Sequence, residues 1–84
     1  MPTISNFYGI IIVMYLRNKE YNPPHIHAIN QDFDAPFFIS TGEIMEGEFP
    51  NRAKALVKEF ILHYQKELLE MWETEKYVKL PPLE

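Results

Sequence analysis

The residues best placed to do chemistry lie in one short stretch, "EYNPPHIHA", residues 20–28. Two prolines stand directly before His25 and His27, which are separated by one residue. On a strand, an i, i+2 pair puts both imidazoles on one face, roughly 7 Å apart at Cβ. Such a pair can chelate one divalent metal through neutral ring nitrogens. It can equally act as acid and base, because histidine titrates near neutral pH. Pro23 and Pro24 bias Asn22 and Pro23 toward extended backbone, so the entry to His25 has less conformational freedom to lose. Asn22, Pro23, Pro24, His25 and His27 therefore form the candidate binding segment, with His25 and His27 as the candidate catalytic or metal-ligating residues. A metal would need a further ligand, for which Asp32, Asp34 and His63 are available. Asp34 falls on the neighbouring strand if Asn30–Asp32 closes a hairpin. The plainer alternative is two polar residues on an open sheet face, hydrogen-bonded to neighbours or water.

Other chemistry is thin. The chain has no cysteine, so a disulfide framework and a thiolate zinc site are both excluded. It has no phosphate-binding glycine loop, no H-E-x-x-H and no G-x-S-x-G. The formal net charge of −4 argues against a broad grip on nucleic acid, which needs clustered Lys and Arg. The apolar run Tyr8–Leu16 is too short to span a bilayer, which takes roughly 20 residues. The N-terminus lacks the pattern of a signal peptide. The expectation is a cytoplasmic protein with no membrane segment and no required cofactor, a divalent metal at the histidines being the open option.

A chain of 84 residues makes one domain with a small core. The expected division is a domain over residues 1–76 and an irregular tail over 77–84, docked by Tyr77, Val78 and Leu80. Ile10–Leu16 reads as a strand, apolar on both faces and therefore central. Its second cover could be a partner subunit. "HIHAIN" reads as the next strand, with His25, His27 and Ile29 on one side and Ile26 and Ala28 on the other. Asn30–Asp32 suits a turn, and Phe33–Ser40 a third strand, with Pro36 marking an edge or a bulge. Thr41-Gly42 turns the chain, and "EIMEGEF" reads as a fourth strand. Pro50 then opens one long helix, capped by Phe49 or Asn51. Ala53, Leu56, Val57, Phe60, Ile61, Tyr64, Leu68, Met71 and Trp72 recur at helical spacing. The fold class is α+β: a small antiparallel sheet of about four strands, with one long C-terminal helix packed across one face. The histidines should project away from the layer that this helix seals.

Ala55, Leu62 and Leu69 lie off the main stripe, seven residues apart. They are either scattered exposed apolar residues, which are common, or a narrow seam for a partner helix in a homodimer. Ser40 and Thr41 read as turn-forming hydroxyls. Glu43, Glu46 and Glu48 read as the solvated side of the fourth strand. Arg52, Lys54 and Lys58 point in different directions around the first helical turns and read as solvated, with an anion or RNA contact as the alternative.

Taken in order, "PTISNFYGIIIVMY", "NPPHIHA", "STGEIMEGEFP" and "RAKALVKEFILHYQKELLEMWE" resemble the bacterial domain-of-unknown-function family 4160 over about residues 1–75. The resemblance implies a small single domain with no settled activity. It also implies a gene often neighbouring that of another small uncharacterised family, which suggests toxin–antitoxin pairing. The family's motif falls on Asn22, Pro23, Pro24, His25 and His27. Two positions depart from its pattern: Ile26 stands where an aromatic is usual, and Ser40 where many members carry an acid. Three functions remain in play. The leading one is a non-enzymatic interaction module working as a homodimer or with a small protein partner. The others are a histidine-dependent hydrolase or ribonuclease and a metal-binding module.

Overall fold

The computed structural model describes residues 3–14 and 23–82. Four strands form one antiparallel sheet in sequence order: β1 (Thr3–Phe7), β2 (Ile10–Val13), β3 (His25–Asn30) and β4 (Phe33–Phe38). Two helices follow, α1 (Asn51–His63) and α2 (Gln65–Thr74). The expected class, an antiparallel four-stranded α+β fold, is what forms. Of the expected strand Ile10–Leu16, Tyr15 and Leu16 lie outside the described residues, as does Asn22.

Register explains which side chains meet. Phe7 opposes Ile10, Ile12 opposes Ala28, Ala28 opposes Ala35, and Ile26 opposes Phe37. Directly opposed residues share a face. These side chains join Val57, Phe60, Ile61, Leu68, Met71 and Trp72 of the helices in one core. The stripe read from helical spacing is therefore the buried face, with Leu56 and Tyr64 at its half-buried margin. Phe60 is fully buried, and its ring stacks on Phe7 with centroids 5.0 Å apart.

Four expectations about elements are corrected. The strand β1 was not anticipated. Its polar Ser5 and Asn6 and a register shift between Thr3 and Ser5 break the alternation that signals a strand. "EIMEGEF" is not a strand: only an isolated bridge joins Ile44 to Phe37. Two further backbone bonds, Phe38 N–H to Glu43 O and Met45 N–H to Pro36 O, tie this segment along the outer edge of β4. Pro36 cannot donate to a ladder, so the pairing there stays irregular. The long helix is two helices. A straight helix over the whole segment would run roughly 36 Å at 1.5 Å per residue, longer than the molecule's largest extent of 30 Å. The chain breaks at Tyr64 (φ −109°, ψ 25°). Just beyond it, the Gln65 amide donates to the carbonyls of Ile39 and Ser40, both at 2.8 Å, which pins the break to the end of β4. The N-cap is Pro50, with no side-chain capping bond, so neither Phe49 nor Asn51 caps α1.

Two glycines are dictated by geometry. Gly42 has φ +76°, and a Cβ there would sit 2.9 Å from Lys58 Cγ and 3.3 Å from the Lys58 backbone. Only glycine lets this loop lie against α1. Lys58 reaches back from α1 to Glu43, Nζ to Oε2 at 2.6 Å, and that hydrogen bond holds the Glu43 carboxyl below its ordinary pKa. Gly9 (φ +77°) and Tyr8 (φ +50°) form the two-residue turn between β1 and β2, with the positive φ values that tight hairpins need. A tyrosine in that conformation is unusual and costs on the order of 1 kcal/mol.

Past α2, the Leu80 N–H donates to Ile4 O at 2.8 Å, and Ser5 Oγ donates to Leu80 O at 3.0 Å. The tail thus lies along the outer edge of β1. Tyr77 and Leu80 pack against the core, whereas the Val78 side chain is exposed, contrary to its expected docking.

Replacing Phe60 with alanine is expected to destabilise the domain by about 3–5 kcal/mol, a large share of what a domain this size has. Urea denaturation of the full chain measures it. A loss under about 1 kcal/mol would mean that the helix layer is not what holds the sheet.

Candidate functional site

Both histidines are on β3, with β2 on one side and β4 on the other. His27 opposes Val13 and Pro36, His25 opposes Phe38, and Ile29 opposes Ile11 and Asp34. These residues share the sheet face opposite the core. The pair projects together as its spacing requires, with ring centroids 5.3 Å apart and planes at 65°.

One expectation about the pair is corrected: His25 does not stand clear of the helix layer. It is only 7% exposed, and its ring meets the indole of Trp72 from α2 at 5.1 Å. Trp72 belongs to the helix stripe and to the core. Being near the end of α2, it also reaches the start of β3, so one side chain serves both layers. Nothing in helical periodicity distinguishes a tryptophan that fills a core from one that also holds a histidine.

Hydrogen bonding fixes the tautomers. His25 Nδ1 lies 3.0 Å from Pro23 O, an acceptor only, so Nδ1 carries the proton. The first proline of the motif thus orients the ring through its own carbonyl, a more specific role than stiffening. His27 Nδ1 lies 3.4 Å from Asp34 Oδ1, a long contact in which Nδ1–H again donates. In each neutral ring the second nitrogen, Nε2, is then the unprotonated one. Asp34 is the carboxylate that the hairpin brings to the pair. Asp32, in the turn, and His63, on the last turn of α1, are not brought into a cluster with them. Among the described residues no group of three or more His, Cys, Asp or Glu side chains is placed to hold a metal ion.

Burial is the main influence on His27, and it lowers the pKa below the ordinary 6.5. The neighbouring His25 pushes the same way. The hydrogen bond and charge of Asp34, and the charge of Glu46, oppose the shift without cancelling it. His27 is thus chiefly neutral at physiological pH, and it is a base backed by a carboxylate.

The remaining candidates lie elsewhere. Ala55 is exposed, Leu62 is 48% exposed, and Leu69 is half-buried against the chain's own core. Thr41 Oγ1 accepts from the Glu43 N–H at 3.2 Å, the turn-forming role read from its type. An open cleft of about 670 Å³ lies at the opposite end of the sheet, between the Tyr8-Gly9 turn and the first turns of α1. The histidines do not line it.

Residues 9–73 match the family described as Domain of unknown function (DUF4160). The chain belongs to this family. No curated protein and no solved structure matches it. In this DUF4160 member the matched span runs from the β1–β2 turn almost to the end of α2. It takes in the histidine pair, Asp34 and Trp72, and leaves β1 and the tail that pairs with it outside.

A native state that holds His27 at a lowered pKa binds fewer protons than the unfolded chain. The contribution of this group is therefore present above pH 6.5 and is lost as pH falls through the folded pKa. NMR titration should place His27 below 6.5, and Asp34→Asn should lower it further. In His27→Gln, the decline of stability below pH 6.5 should flatten. A His27 pKa above 6.5 would contradict this account of its surroundings.

Proposed function

We propose that this chain is a protein-interaction module whose docking surface is the histidine-bearing face of the sheet. The observation that carries this reading is where the pair sits. His27 lies among Ile11, Ile29, Pro36 and Phe38, half-buried apolar side chains outside the hydrophobic core, while Val13 and His25 on the same face are buried. Such an apolar strip, with a few polar groups to set register, suits recognition of another protein surface. Both sheet edges are occupied, β1 by the tail and β4 by the Glu43–Met45 segment. A partner would therefore meet a face rather than extend the sheet. The partner is a second copy of the chain or a small protein. The product of the neighbouring gene, in a cytoplasmic pairing of the toxin–antitoxin kind, is the first to try. The net charge of −4 disfavours nucleic acid as the primary partner.

Light scattering at tens of micromolar should report a dimer, and Phe38→Glu should return it to monomer with the fold retained by circular dichroism. If the wild-type chain is a monomer, co-purification with the neighbouring gene product, lost in Phe38→Glu, is the expected result. Failure of both would sink the reading.

A second reading, a small histidine-dependent hydrolase such as a ribonuclease, draws on the Asp34-backed His27 beside His25. It predicts growth arrest on expression that disappears in the His25→Ala, His27→Ala double variant. An unchanged phenotype in that variant rejects it.

A further inference from the structure

The open cleft at the far end of the sheet has a composition that the histidine face does not share. Its floor is Ile10, Pro50, Ala53 and Leu56, and its rim is Tyr8, Asn30, Arg52 and Glu59. A volume of about 670 Å³ is within the range of small-ligand sites, which combine an apolar lining with a few placed polar groups.

Three features give the cleft a direction. The first is Tyr8, at the lip and 62% exposed. Its backbone is left-handed (φ +50°) at a turn position that favours asparagine, aspartate or glycine. A large aromatic kept both strained and exposed fills no core, and strain of this kind gathers where a side chain has a task. The second is Arg52. Among the described residues its guanidinium makes no ion pair or hydrogen bond, so a bidentate donor stands at the rim without an acceptor. The third is Glu59, two helical turns further along α1 and roughly 10 Å from Arg52. It sets a negative charge at the other end, which repels a second anionic group on any occupant. The rim is steadied from below, where Asn30 Nδ2 donates to Gly9 O at 3.2 Å and ties β3 to the turn that carries Tyr8.

We propose that this cleft binds a monocarboxylate with an aromatic body, the carboxylate on Arg52, the ring against Tyr8 and the apolar floor, and the uncharged end toward Glu59. Two sources offer that chemistry: a free aromatic acid, and the C-terminal residue of a peptide. The site is separate from the histidine face and does not depend on what that face binds.

The test is an NMR titration of the full chain with 3-phenylpropionate. Saturation with a Kd of about 0.1–1 mM is expected for a ligand this small, with shifts centred on Tyr8–Ile10, Asn30 and the first turns of α1. Its neutral amide, 3-phenylpropionamide, should bind at least about tenfold more weakly, and so should the acid to Arg52→Gln. Tyr8→Asn should raise the melting temperature, by relieving the turn, while weakening binding. A purely structural tyrosine would show no such opposition. The tripeptide Ala-Ala-Phe with a free C-terminus separates the sources: tighter binding than the free acid assigns a peptide terminus, weaker binding a small molecule. The proposal is overturned if neither probe saturates by about 10 mM, if Arg52→Gln binds as well as wild type, or if Tyr8→Asn binds unimpaired.

Discussion

The structure depends on one layer contact, the apolar side of α1 and α2 lying across one face of a four-stranded sheet. A sheet of this size is marginal alone. Phe60, stacked on Phe7 and close to Tyr64, and Phe49, edge-on to Phe37, make the helical layer and the loop before it part of the same core. The break at Tyr64 follows from that contact. An unbroken helix would overhang the sheet and leave the stripe beyond Tyr64 partly in water, whereas a bend there buries Leu68, Met71 and Trp72. The same bend brings Trp72 to the start of β3. The surroundings of His25 are thus a product of how the helix layer closes.

The edges show the same economy. Open strand edges invite pairing with other chains. Here β1 is covered by the tail and β4 by a segment that pairs only at isolated points. The family match begins at the β1–β2 turn and stops within α2, yet β1 and the tail are hydrogen-bonded to each other through Ile4, Ser5 and Leu80. The two ends of the chain close the same side of the sheet around the matched core.

How much of this could be read from residues alone follows from which interactions are local. The helix stripe was legible because nine apolar residues repeat at one spacing, and the facing of Ile26 and Ala28 because strands alternate. The proximity of Asp34 to His27 was legible through the hairpin, since a short turn fixes register. Strand β1 was not, because Ser5 and Asn6 imitate a loop and the bonds that make Ser5 useful go to Leu80, far along the chain. The helix break was not, because no proline or glycine marks it; its anchor, Gln65 on the carbonyls of Ile39 and Ser40, is a tertiary contact. The contact of His25 with Trp72 joins residues 25 and 72 for reasons that no window contains. "EIMEGEF" misled in the other direction, for its hairpin-like sequence lies beside Pro36, which offers no N–H to pair with.

Strand β3 carries consequences at both ends. Its first residue, His25, is held by the Pro23 carbonyl and Trp72, while its last, Asn30, steadies the Tyr8 turn and lines the cleft. Along an extended strand those residues are roughly 17 Å apart, beyond the distance of about 8 Å over which exposed charges interact at physiological salt. His27, three residues before Asn30, is still roughly 10 Å from it along the strand, also beyond that screening distance. Protonating His27 therefore does little to the field at Arg52 directly. Any coupling between the histidine face and the cleft has to pass through the packing of β3 between β2 and β4. That packing is tight: Ile26 and Ala28 are fully buried, and every residue of the strand has an opposed partner on β4. A strand so held transmits displacement only by moving the sheet, which the helix layer resists. The two ends are thus expected to act as independent sites on one rigid support.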